Sequence, residues 1–151
     1  MAIQPGWFVV DCALDLPDSS LADGMCRTSG GECTLRAAFQ QAEYAFGLNT
    51  IVLPEGVFEL QRLANYGEYC CFGTWVASGD LDVISGGDLT LLGAGRDKTI
   101  IDGSYSQGVE VPGEGVSGYP SGILQIGNEN VLGSGIDVVI EDVGIRDGVM
   151  Q

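Results

Sequence analysis

The sequence predicts a mainly β fold of short strands that opens with one amphipathic helix. Three observations carry this expectation. Runs of roughly four or five residues with alternating apolar positions are punctuated by glycine turns, and the chain holds 24 glycines. Only GECTLRAAFQQAEYAFG, Gly31 to Gly47, keeps the 3.6-residue spacing of a helix over any length. The segments LDVISGGDLTLLGAG and LQIGNENVLGSGIDVVIEDVG read as two copies of one template, the second with a longer turn. Such a pattern fits a sandwich, a barrel or a solenoid. Hairpin dipeptides would favour the first two, but there is no Asn-Gly turn. The pairs Asp23-Gly24, Asp102-Gly103 and Asp147-Gly148 fall at the ends of apolar runs. Stacked coils would pair each strand in parallel with its equivalent in the next coil, and the sandwich stays open as an alternative.

Taken in order, WFVVD (Trp7 to Asp11) is a first strand, followed by a polar, turn-rich loop to Cys33. In the helix, Leu35, Ala38, Phe39, Ala42 and Phe46 share one face, and Arg36, Gln40 and Glu43 share the other. Thr34 is placed to cap the N-terminus and Gly47 to follow the C-cap. The period then changes to two. NTIVLPEGVFEL gives two strands around Pro54-Glu55-Gly56. GDLDVISGGDLTLLGAGRDKTIIDGS gives three more, divided at Gly86-Gly87 and Gly93-Ala94-Gly95. The run from Ser121 to Gly148 repeats this grammar, with Ile136, Val138 and Ile140 alternating and Val143 and Ile145 resuming after Glu141-Asp142. Residues 61–78, aromatic-rich, and 105–122, rich in glycine, read as inserted loops.

The 151 residues suit one domain, and 45% hydrophobic content can supply a core. The formal charge of −15 repels phosphate backbones and anionic membrane surfaces, which argues against a nucleic-acid partner. Histidine is absent, so neither a Ser-His-Asp nor a Cys-His nucleophile system can be built. No run approaches the length of a membrane span, and no insertion in a membrane is expected. Residues 1–6 lack the features of a signal peptide. Export information is therefore expected to have been removed, or the chain to be part of something longer.

Several clusters are candidate sites. Asp15, Asp18 and Asp23 lie in the loop before Cys26, where carboxylates beside a glycine turn can hold Ca²⁺ through oxygen. The competing reading is a solvated acidic loop, and no other cofactor is expected. Asp80, Asp82, Asp88, Asp137, Glu141, Asp142 and Asp147 can line one face, although outward polar positions on solvated strands explain them better. No carboxylate pair can be assigned as a glycosidase dyad, and no catalytic residue is assigned. Tyr66, Tyr69, Phe72 and Trp75 form either a sugar-stacking platform or a small satellite core, leaving carbohydrate as a partner to consider. The five cysteines, Cys12, Cys26, Cys33, Cys70 and Cys71, do not have zinc-site spacing. Disulfides in an oxidising compartment explain them better.

The ordered stretches ADGMC, GGECTLRAAFQQA, LNTIVLPEGVFEL, GDLDV and LTLLGAGRDKTIIDGS resemble the CSLREAI-type N-terminal region of bacterial extracellular proteins. Here the motif reads Cys33-Thr34-Leu35-Arg36-Ala37-Ala38-Phe39. The resemblance runs from about Trp7 to Gly148 and departs at Ala37, Cys12 and Cys70-Cys71. It implies a right-handed parallel β-helix of the pectin-lyase-like kind with an N-terminal capping helix. Residues 7–48 would form the strand, disulfide loop and cap. Residues 49–151 would form roughly three coils. With the short spacing of Cys26 and Cys33, it also implies a bridge between those two, leaving Cys12 to pair with Cys70 or Cys71.

The function implied is a non-catalytic extracellular or cell-surface module, structural or adhesive. A polysaccharide lyase or hydrolase and a fibre-forming subunit are the alternatives. Val143 and Ile145, in the last strand run, are expected to mediate association, as a homo-oligomer or with a longer solenoid.

Overall fold

The computed structural model describes residues 5–61, 81–83, 87–103, 109–111, 115–117, 124–126 and 135–147. After strand β1 (Trp7–Val9) a long loop leads to helix α1 (Leu35–Tyr44). Next come β2 (Asn49–Val52), β3 (Gly56–Glu59), β4 (Leu81–Val83), β5 (Leu89–Leu92) and β6 (Thr99–Asp102). The remaining strands are β7 (Val109–Val111), β8 (Gly115–Ser117), β9 (Leu124–Ile126), β10 (Val138–Glu141) and β11 (Gly144–Arg146).

One parallel sheet has the order β1-β2-β5-β10, and a second has the order β11-β6-β3. β4 and β9 form a further parallel pair, and β7 and β8 an antiparallel one. These findings correct the expected architecture. The described residues build two small parallel sheets of three- and four-residue strands and one short helix. The sheets do not close on one another into a long right-handed parallel β-helix. The reason is that period-two alternation fixes which side chains of a strand face inward, but not how separate sheets join. The second insertion also differs from the expected loop, because its residues 109–111 and 115–117 pair as strands.

Parallel neighbours need a long crossover, and α1 lies in the connection from β1 to β2. The helix packs against β4 and β2. Thr34 caps it as its spacing predicts, its hydroxyl accepting from Ala37 N at 3.1 Å. The C-terminus ends earlier than expected. Ala45 turns to an extended conformation with φ −97° and ψ 140°. Phe46 therefore leaves the helix and is 62% exposed rather than joining Leu35, Ala38, Phe39 and Ala42 in the core. Gly47 has φ +87° and serves the reversal into β2 instead of directly following the helix C-cap.

Register aligns the inward side chains into rows. One row joins Phe8, Ile51, Leu91 and Ile140, and another joins Phe58, Ile101 and Ile145. Turns stack as well as strands. Gly95 N donates to Asp142 O at 3.0 Å, and Gly93 N to Glu141 O at 2.9 Å. A Cβ on Gly93 would lie 2.1 Å from the Asp142 carbonyl oxygen, so this approach of two backbones requires glycine. Buried Thr99 ties two turns together, donating to Pro54 O at 2.9 Å and accepting from Ala94 N at 2.8 Å.

Candidate functional site

Two features of the fold bear on function: a helix enclosed by the preceding loop, and a core uncovered at its last strands. The loop is built first. Cys26 and Cys33 form a disulfide, as the resemblance implies. Thr28 Oγ1 donates to Glu32 Oε2 at 2.6 Å. That bond, followed by one from the Glu32 backbone, holds the Glu32 carboxyl below its ordinary value. Asp11 Oδ1 accepts from Cys33 N at 2.8 Å, and Cys12 bridges to Thr34, which ties both ends of the loop to the helix start. Cys12 itself is a free, half-buried thiol. Its expected partners, Cys70 and Cys71, lie outside the described residues.

The loop covers the face of α1 that its polar residues mark as solvent-facing. Arg36, Gln40 and Gln41 are buried along with the apolar face. Gln40 Oε1 accepts from Asp18 N at 2.7 Å. Gln41 Oε1 accepts from Gly24 N at 3.0 Å, and its Nε2 donates to Ser20 O at 2.9 Å. Arg36 forms a two-pronged pair with Asp15: Nε meets Oδ1, and the second nitrogen reaches Oδ2 at 3.1 Å. The side chains are 0% and 2% exposed. The same Asp15 Oδ2 accepts from Gln61 N at 2.7 Å, joining loop, helix and the exit of β3. A paired, hydrogen-bonded geometry is what makes such burial tolerable.

This arrangement accounts for the three aspartates proposed for calcium. Asp15 is engaged by Arg36, and Asp18 accepts from Ser20 N and Arg27 N. Asp23 accepts from Met25 N and pairs with Arg27. They do not converge, and no cluster of three or more metal-ligating side chains occurs among the described residues. The proposed aromatic platform, Tyr66, Tyr69, Phe72 and Trp75, lies outside the described residues, as does Asp80.

The disulfide closes a loop with a sequence separation of 7. Chain-entropy arguments give such a bridge about 2–3 kcal/mol. Replacing both Cys26 and Cys33 with Ser should lower stability by that amount, measured by urea denaturation against the oxidised chain. A reduced wild-type chain should match the variant.

At the opposite end the rows of the core lose their cover. Phe8, Ile51 and Leu91 are 4%, 0% and 1% exposed, but Ile140 in the same row is 37% exposed. Phe58 and Ile101 are each 2% exposed, but Ile145 is 45%. Leu124, Ile136, Val138 and Val143 pack against the core only partly buried. Of the two expected association residues, Val143 is thus half-buried and Ile145 exposed.

Around this end, Asp137, Glu141 and Asp142 are exposed. Arg146 is engaged by Asp102, at 2.8 Å, and by Asp147. Loop composition marked Asp15, Asp18 and Asp23 for calcium, and the structure engages them with backbone amides, Arg27 and Arg36. It missed Arg36, whose signal was a cation on a helix in a chain with only 6 Lys and Arg. No helix among the described residues is long and apolar enough to cross a membrane. In comparison with known proteins, no family model, no curated protein and no solved structure matches this chain.

Proposed function

We propose that the chain is a non-catalytic structural or adhesive module of the extracellular space. It closes one end of its core with its own helix and loop, and presents the other end for assembly. The observation that carries this reading is the contrast along the two inward rows, buried from Phe8 to Leu91 and from Phe58 to Ile101, then exposed at Ile140 and Ile145. Apolar side chains that continue a core row and lack cover are normally hidden by further structure or a partner. The Cys26–Cys33 disulfide supports an oxidising location. The likeness of the Cys33-to-Phe39 stretch to the CSLREAI motif supports a surface role.

The enzyme alternative is a polysaccharide lyase or hydrolase. Incubation with acidic polysaccharides, with and without calcium, tests it directly. The module reading expects no cleavage products in either condition. Turnover that follows protein concentration would replace it with the enzymatic reading.

A further inference from the structure

We infer that the edge of β10 receives an extended strand from a cationic protein partner; this rests on the reading that the β10–β11 end is a joining surface. The backbone supplies the first argument. Leu89 N and Gly93 N donate to Asp137 O and Glu141 O, both at 2.9 Å. In a parallel ladder successive residues turn their N–H and C=O groups to alternate sides. The groups of Val138 and Ile140 therefore point away from β5. No strand pairs with β10 on that side among the described residues. An added strand would satisfy these groups and would cover Ile140, the uncovered end of its row.

Charge selects the occupant. Asp137, Glu141 and Asp142 ring this edge, exposed, and no described cation forms a salt bridge with them. Two copies of this end would set these carboxylates against each other, in chains of formal charge −15. The β1 end offers no counterpart core surface, since Phe8 is covered. A strand alternating apolar and Lys or Arg residues meets both demands. Its apolar side chains lie over Ile140 and its cations reach the rim. The field of the whole chain would speed its approach.

The test uses a labelled ten-residue peptide alternating Val and Lys, with a Val-Glu peptide as control, titrated into the intact chain by fluorescence anisotropy. The Val-Lys peptide should bind, the control should not, and added salt should weaken the complex. Asp137→Asn/Glu141→Gln and, separately, Ile140→Lys should each weaken binding at least about tenfold. Glu55→Gln/Asp97→Asn, exposed acids elsewhere, should leave it unchanged. Circular dichroism checks that every variant folds. Amide exchange should slow at Val138 and Ile140 in the complex.

Equal loss in both acidic double variants would reduce the binding to general charge attraction and overturn the proposal. So would unaltered exchange at Val138 and Ile140, or absence of binding. Self-association of the free chain that Ile140→Lys abolishes would assign the surface to a second copy. That outcome overturns the cationic partner yet keeps the joining-surface reading. Slow exchange at Val138 and Ile140 in the monomeric free chain would instead remove the joining-surface reading itself.

Discussion

Replacing Arg36 with Met should destabilise the chain by about 3–5 kcal/mol, the usual loss when one member of a buried ion pair is removed. The expectation follows from position. Arg36 and Asp15 are 0% and 2% exposed, and the guanidinium meets both carboxylate oxygens. Met fills much of the volume of Arg but leaves the Asp15 charge buried without its bidentate partner. The single variant Asp15→Leu should be comparably damaging, because it strands the guanidinium and frees Gln61 N from its 2.7 Å bond. The double variant Asp15→Leu/Arg36→Met should lose clearly less than the sum of the two. No unpaired charge then remains in the interior, and the difference measures the coupling. Urea denaturation of the four proteins gives the cycle. Additive losses would mean that the pair is solvated and the loop does not enclose the helix.

Replacing Phe39 with Ala should cost about 3–5 kcal/mol, the range for deleting a buried aromatic ring. Phe39 is 1% exposed and belongs to the same core cluster as Leu35, Ile51, Leu81 and Leu89. The helix that carries this ring packs against β2 and β4. Thermal and urea unfolding read the loss, and solubility should fall as core surface is uncovered. Stability equal to wild type would place α1 against solvent.

Strand positions were legible because alternation and glycine turns are local signals. NTIVLPEGVFEL gave β2 and β3 on either side of Pro54, and LTLLGAGRDKTIID gave β5 and β6. The helix start was legible too, since a hydroxyl followed by apolar residues at helical spacing is a capping pattern. The helix end was not. Gly47 looked like the residue just after the C-cap, but the cap falls earlier, at Ala45, and the left-handed φ of Gly47 serves the turn into β2; Phe46 was misplaced by the same error. The buried polar face was hidden for a different reason. Arg36, Gln40 and Gln41 at helical spacing look solvated when read alone. Their partners, Asp15, Asp18, Ser20 and Gly24, lie some twenty residues upstream in a loop without periodicity.

The joining of sheets was the least legible level. Short alternating strands fit a closed coil and a small open sheet equally well, and the described residues form the latter. Three aspartates in one loop likewise carried no information about whether their oxygens converge. Backbone amides and two arginines took those oxygens instead.

Residue-resolved native-state amide exchange on the free chain tests the central claim, a core closed at α1 and open at β10–β11. Protection is greatest where opening a hydrogen bond requires exposing buried structure. Amides of Phe39, Ile51 and Leu91 should exchange at rates set by global unfolding. The β10 and β11 amides bonded within the sheets should exchange at least about tenfold faster through local opening. Uniform protection across both ends, or slower exchange at β10 and β11 than at α1, would contradict the account.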